Sequence, residues 1–167
     1  MRNEQPSAPS IDASPFRFVI VVSRFNEGIT SSLRRAALNT LLERGAENVQ
    51  VFDVPGAYEI PQAARAAAET GRFDAVVCLG CVIRGETPHF DYISAAVADG
   101  IMTAAGDTGV PMAFGVLTTD TMEQASARAG DGPDNKGREA AHAAIEMAAL
   151  YRTLENAPSR PPGSNLA

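Results

Sequence analysis

The sequence predicts an α/β protein in which a parallel sheet carries helices on both faces. Three observations predict it. Short apolar runs rich in Val, Ile and Leu recur along the chain, as in strands buried on both faces. Segments with apolar residues at helical spacing lie between them. Strand and helix alternate, which builds a parallel sheet with right-handed crossovers.

Residues 1–15 contain Ser, Pro, Asn and Gln without an apolar core, and read as a flexible tail rather than a signal peptide. Residues 16–23 (Phe-Arg-Phe-Val-Ile-Val-Val-Ser) form the first strand, and Arg24 to Gly28 a loop. From 29 to 44, Leu33, Ala37, Leu38, Leu41 and Leu42 keep helical spacing, and Gly45 is a stop. Residues 48–54 alternate as a strand and break at Pro55-Gly56-Ala57. Pro61 suits the first turn of a helix, whose Ala-rich body, 63–70, ends at Gly71. Residues 74–80 read as the third strand. After the loop from Gly80 to His89, a helix beginning near Asp91 has Ile93, Ala96, Val97, Gly100, Ile101 and Ala104 on one face. Residues 110–117 make the fourth strand. Asp120 with Glu123 reads as a capping box for a short helix to Ala129. The last helix, 136–154, has two apolar stripes: Ala140, Ala144, Met147, Tyr151 and Leu154, and Ala141, Ile145 and Ala148. A helix apolar on two faces is expected to be covered twice, with a neighbouring subunit as the simplest second cover. Residues 157–167 read as a disordered, Pro-rich tail.

At 167 residues the chain reads as one domain, spanning 16–156 between the tails. A net charge of -6 without a basic run argues against a nucleic-acid partner. No stretch approaches the ~18–20 apolar residues of a membrane span. Two cysteines do not make a disulfide framework, so a reducing cytoplasm is expected.

Ligands of parallel sheets bind beyond the carboxyl ends of the strands. Unusual residues fall there four times: Phe25-Asn26, Gly56 to Glu59, Gly80 to His89, and Thr118 onward. His89 is one of 2 histidines, and imidazole, whose unperturbed pKa is about 6.5, suits general acid–base work. A plain surface histidine is the competing reading. His142, flanked by alanines in a helix, reads as structural. Gly85-Glu86-Thr87 before a helix can hold an anion through N–H groups, although the Glu86 carboxylate must point away. Arg128 and Lys136 are the nearest candidate counter-charges, or else solvated surface residues. Phe25 at a strand end can stack on a flat ring or pack on a neighbour, while Phe114 reads as core. Glu59 near a helix start is favoured by the helix dipole in any case. Cys78 and Cys81 match a Cys-x-x-Cys spacing, but three residues apart in a strand they face opposite ways, so neither redox chemistry nor a metal is expected. No dinucleotide or phosphate-loop glycine motif occurs.

Taken together, Ser-Arg-Phe-Asn (23–26), Val-Pro-Gly-Ala-Tyr-Glu-Ile-Pro (54–61), Gly-Cys-Val-Ile-Arg-Gly-Glu-Thr-Pro-His-Phe-Asp-Tyr (80–92), Phe-Gly-Val-Leu-Thr-Thr-Asp (114–120), Glu-Gln-Ala (123–125) and Asn-Lys-Gly (135–137) resemble the 6,7-dimethyl-8-ribityllumazine synthase family. The resemblance runs from about Phe16 to Leu154. It implies a flavodoxin-like, three-layer α/β/α sandwich around a four-stranded parallel sheet. It implies condensation of 5-amino-6-(D-ribitylamino)uracil with 3,4-dihydroxy-2-butanone 4-phosphate, the penultimate step of riboflavin biosynthesis, with release of phosphate and water and without a metal or organic cofactor.

Carried onto this chain, the resemblance implies that Phe25 stacks on the pyrimidine. Ala57, Tyr58 and Glu59 would bind the ribityl chain and ring, and Cys81, Val82 and Ile83 would meet the pyrimidine through backbone groups. Glu86 and Thr87 would hold the phosphate with Arg128 as cationic partner and Lys136 nearby. Phe114 would come from an adjacent subunit, and His89 would transfer protons. The family's pentamers place active sites between subunits, and riboflavin synthase is a candidate protein partner. Cys81 stands where smaller or β-branched residues are usual, a change that backbone contacts should survive. The 130–135 turn, with Pro133 and its acidic residues, points to a free pentamer or a pair of pentamers rather than a sixty-subunit shell. The rivals are a non-catalytic riboflavin- or FMN-binding paralogue, the archaeal type of riboflavin synthase, and a flavodoxin or receiver domain. The intact 85–89 loop together with Arg128 favours the synthase.

Overall fold

In the computed structural model, which describes residues 9–159, four strands form one parallel sheet in the order β2-β1-β3-β4. They are β1 (Arg17–Ser23), β2 (Asn48–Val54), β3 (Ala75–Ile83) and β4 (Met112–Thr119). The helices between and after them are α1 (Glu27–Glu43), α2 (Ile60–Glu69, entered through a 3₁₀ turn at Ala57–Glu59), α3 (His89–Thr108), α4 (Met122–Arg128) and α5 (Lys136–Glu155). The three-layer α/β/α expectation holds. Each strand sends alternate residues to opposite faces, and the core divides accordingly. Phe18, Ile20 and Val22 pack with α1, α4 and α5. Val19 and Val21 pack with α2 and α3. Cys78 and Cys81 fall in different halves of that core, as their spacing required. Full burial of side chains such as Phe18, Ile20 or Leu79 contributes about 1.5–3 kcal/mol each.

The chain fills the sheet outward from β1, first to β2 on one side and then to β3 on the other. The crossover helices therefore leave β1 on opposite faces, and a crevice opens where the order reverses, between the carboxyl ends of β1 and β3. Close backbone approach shapes this region. A Cβ on Gly80 would come 2.8 Å from Ile60 Cδ1 and 3.1 Å from Ser23 Oγ. Gly80 therefore lies inside β3 as a packing glycine, and the strand runs to Ile83, three residues beyond the expected end at Gly80.

Other boundaries also move. The fourth strand is Met112–Thr119 rather than 110–117, and α2 starts at Ile60, with Pro61 in its first turn. The cap of α4 is Thr121, whose hydroxyl accepts from the Gln124 N–H at 3.2 Å. Gln124 Oε1 in turn accepts from the Asp120 N–H at 2.9 Å, so the capping role expected of Asp120 and Glu123 falls one residue later and uses an amide. The 1–15 tail is anchored at its inner end. Ala13 is fully buried and its N–H donates to Arg44 O at 2.8 Å, while Ile11 packs on the core. Residues 1–8 and 160–167 of the expected tails lie outside the described residues.

The two stripes of α5 do not divide as expected. Ala140, Ala144, Ala141, Ile145 and Ala148 all face inward. The outward stripe is Ala143, Met147, Leu150 and Leu154, all exposed. On α3, Val97, Ile101 and Ala104 are buried, but Ala96 is exposed, as are Tyr92 and Met102.

Candidate active site at the carboxyl rim of the sheet

Parallel pairing ends unevenly at the rim. The last pair between β1 and β3 is Val22 with Leu79, whereas β3 and β4 stay paired to Ile83 and Thr119. Cys81, Val82 and Ile83 therefore project past β1 and, among the described residues, keep β4 as their strand neighbour. Their free edge lines the crevice. One of its groups is taken by the Asn26 side-chain amide, which donates to Cys81 O at 2.9 Å. Asn26 is also the N-cap of α1 and adopts φ 57, the left-handed region that Asn tolerates better than most side chains. The sharp turn throws Phe25 out at the rim, 72% exposed.

The loop after β2 meets Phe25 from the other side. A Cβ on Gly56 would lie 3.8 Å from Phe25 Cδ2, so the ring sits over the bare backbone of that glycine. Glu59 closes the same loop by accepting from the Gly56 N–H at 2.9 Å through Oε2. Ala57 is buried beneath, and Tyr58 stands exposed. The carboxylate of Glu59 is thus a loop brace as well as a polar group at the rim.

The loop after β3 carries Glu86, Thr87 and His89, all exposed. His89 is the first residue of α3, two residues before the expected helix start, so the reading of His89 as a loop residue is corrected. Pro88, the N-cap of α3, has no side-chain oxygen to satisfy the first turn. Among the described residues the N–H groups of Gly85, Glu86 and Thr87 meet no protein acceptor. Three free donors stand at the positive end of a 20-residue helix, where the helix dipole favours negative charge.

The remaining expected residues lie elsewhere. Phe114 is not core: it is 47% exposed on β4, one of the two edge strands of the sheet. With Arg128, at the end of α4, and Lys136, at the start of α5, it lines a hollow of about 430 Å³. None of the rim residues described above lines that hollow. Lys136 is committed there, its Nζ lying 2.7 Å from both oxygens of Glu139. Arg128 donates to Gln124 O at 2.9 Å and, among the described residues, pairs with no carboxylate. A single chain therefore presents an aromatic rim with free backbone donors and, apart from it, a second surface carrying an aromatic ring and a guanidinium that pairs with no carboxylate among the described residues.

Burial pushes the Cys81 thiol up to about 11 and that of Cys78 up to about 12. Neither is a nucleophile near neutral pH, which leaves Cys81 as backbone at this site. Sequence reasoning missed the braces: Asn26, and an Arg84 that binds Asp91 and Asp120. The spacing of Arg84 and Asp91 across a predicted helix start was a usable signal. The partnership with Asp120, 36 residues away, was not.

Comparison with known proteins bears on this geometry. The model of the 6,7-dimethyl-8-ribityllumazine synthase family matches residues 15–152. A 6,7-dimethyl-8-ribityllumazine synthase of Salinibacter ruber is 57% identical over 141 residues, covering 83% of this chain and 90% of that one. That of Syntrophus aciditrophicus is 56% identical over 144 residues, covering 85% and 94%. Among solved structures, a GDP-L-fucose synthetase from Naegleria fowleri aligns at 14% identity with a TM-score of 0.40, covering 92% of this chain and 49% of that one, a likeness too slight to bear on fold or function.

Proposed function

Because this chain belongs to the 6,7-dimethyl-8-ribityllumazine synthase family, we propose that its rim and its β4 hollow are the two halves of one active site, completed between neighbouring subunits. The activity is that of a transferase of riboflavin biosynthesis. It condenses 5-amino-6-(D-ribitylamino)uracil with 3,4-dihydroxy-2-butanone 4-phosphate to 6,7-dimethyl-8-ribityllumazine, with release of phosphate and water. Residues 16–156 form the catalytic domain.

The observation that carries the assignment of residues is the set of free N–H groups of Gly85, Glu86 and Thr87 directly before His89. In this reading the turn holds the phosphate by its backbone, so the Glu86 carboxylate need not approach the anion. Phe25 stacks on the pyrimidine, whose polar edge meets the backbone of Cys81, Val82 and Ile83 at the groups that Asn26 leaves open. Ala57, Tyr58 and Glu59 take the ribityl chain and the ring. The neighbouring subunit brings its β4 surface, on which Phe114 closes over the pyrimidine and Arg128 faces the phosphate. Lys136, already paired with Glu139, lies beside that anion as a weaker contributor.

The chemistry follows from this placement. The pyrimidine 5-amine attacks the ketone and loses a first water to form an imine. Loss of the C3 proton and the C4 phosphate leaves an enol, which takes a proton at C4 to become a new ketone at C3. The ribitylamino nitrogen attacks that ketone and loses a second water, closing the ring. Each step moves protons between heteroatoms or to and from carbon, which the His89 imidazole can carry. The leaving phosphate departs from donors already aimed at it. Holding two substrates in one cleft supplies a further share of the acceleration.

The same reading makes the protein a homopentamer or a pair of pentamers in the cytoplasm, with riboflavin synthase as a candidate partner. Among the described residues, no helix is long and apolar enough to cross a membrane. The test is to mix the protein with both substrates and follow lumazine fluorescence and phosphate. Formation faster than in buffer, with one phosphate per lumazine, is expected. No acceleration, with tight riboflavin binding instead, would replace the synthase by a flavin carrier.

A further inference from the structure

One guanidinium reaches three parts of the rim. Arg84 is the first residue past β3, and its N–H donates to Thr119 O at 2.9 Å. Its Nε donates to Asp120 Oδ1 at 2.9 Å. Its Nη2 and Nη1 donate to Asp91 Oδ1 and Oδ2 at 2.9 and 3.2 Å, a two-pronged grip on the first turn of α3. The guanidinium carbon also lies 4.3 Å from the centre of the Phe90 ring. Arg84 and Asp91 bracket the turn that carries Glu86, Thr87 and His89, so the side chain fastens one end of that turn to the other.

The turn has little else to shape it. Gly85 has no atom within 4 Å of a built Cβ, and residues 85–88 are exposed. Among the described residues, the backbone bond recorded for residues 85–88 is at Pro88 O, which accepts from the N–H groups of Asp91 and Tyr92 in the first turn of α3. An anion receptor made of backbone donors works only while those donors converge. The charges matter as well. Arg84 spends its single positive charge on two carboxylates, and without it Asp91 and Asp120 would stand unneutralised beside an incoming phosphate dianion.

We infer that Arg84, by gripping Asp91 and Asp120, is a positioning residue that holds the 85–89 turn in its anion-binding shape and thereby sets the affinity for the phosphate-bearing substrate. The inference rests on the assignment of that turn as the phosphate site. These ion pairs are exposed, the Arg84 side chain being 42% accessible, and exposed pairs add little to stability. The effect therefore belongs to binding rather than to folding.

The test compares wild type, Arg84→Gln, Arg84→Lys and Asp120→Asn as assembled proteins. Steady-state kinetics are measured with each substrate varied, and inorganic phosphate is titrated by calorimetry. Arg84→Gln is expected to raise the KM for the butanone phosphate, and to weaken phosphate binding, by about tenfold or more. The KM for the pyrimidine and the melting temperature should stay near wild type. Arg84→Lys restores the charge without the fork and should fall between wild type and Gln. Asp120→Asn, which loosens one arm, should raise the same KM by less. Both KM values rising together, an unchanged butanone phosphate KM, or a lysine variant equal to wild type would each overturn the positioning role. If wild type does not condense the substrates, the functional reading fails. The phosphate titration still decides the role of Arg84.

Discussion

At the residue scale, the proposed function gives His89 the proton transfers and Arg128 the anion, and each role has its own test. His89 is exposed at the head of α3 and has no structural partner among the described side chains. His89→Ala should lower kcat by about a hundredfold or more while leaving assembly and melting temperature unchanged. Equal turnover would remove His89 from the mechanism. Arg128 pairs with no carboxylate among the described residues, so Arg128→Ala should act mainly on the KM for the butanone phosphate, and an unchanged value would count against it. The thiols give a separate check. Cys81 and Cys78 are both buried, with thiols held at about 11 and about 12. Native protein at pH 8 should resist iodoacetamide while denatured protein labels at both positions. Rapid labelling of the native protein would show that β3 opens at the rim.

At the element scale, two packing glycines let neighbouring elements touch. Gly80 admits Ile60 and Ser23 to the centre of β3. Gly137, in the first turn of α5, lies so near α1 that a Cβ there would collide with Leu33 O. Gly137→Ala should therefore cost about 1–3 kcal/mol of stability, read as a lower melting temperature, because neither backbone can withdraw without disturbing its strand contacts. A neutral effect would mean that α1 and α5 slide freely. The helix caps follow the same local logic. Asn135 Oδ1 accepts from the N–H groups of Gly137 and Arg138 at 2.8 and 3.4 Å, and Thr121 caps α4. Capping pairs are legible in a sequence to within a residue, and the one-residue error at Asp120 is of that kind.

At the scale of the whole molecule, the chain leaves large apolar side chains uncovered on several sides. Tyr92 and Met102 on α3, Met147, Leu150 and Leu154 on α5, and Phe114 on β4 are all exposed. The proposed assembly of subunits would cover these side chains. If rim and hollow meet between subunits, a chain lacking His89 and a chain lacking Arg128 can complement each other. Mixed oligomers of His89→Ala and Arg128→Ala, co-assembled in equal amounts, should recover about a quarter of wild-type activity, since a quarter of head-to-tail contacts then join two intact halves. Activity no higher than the sum of the single variants would mean that each chain builds its whole site alone.

The sequence by itself determined the layers of this fold and most residues of its rim. Buried parallel strands are nearly continuous apolar runs, crossover helices keep their period, and a site at strand ends draws on loops whose composition stands out locally. It did not determine that β3 runs through Gly80, because a glycine that makes room for Ile60 looks the same as one that ends a strand. Nor did it reveal Asn26 reaching Cys81, Arg84 reaching Asp120, or Phe114 and Arg128 sharing a hollow apart from the rim. Those relations join residues distant along the chain. They exist only once the register of the sheet has set which strand ends stand side by side.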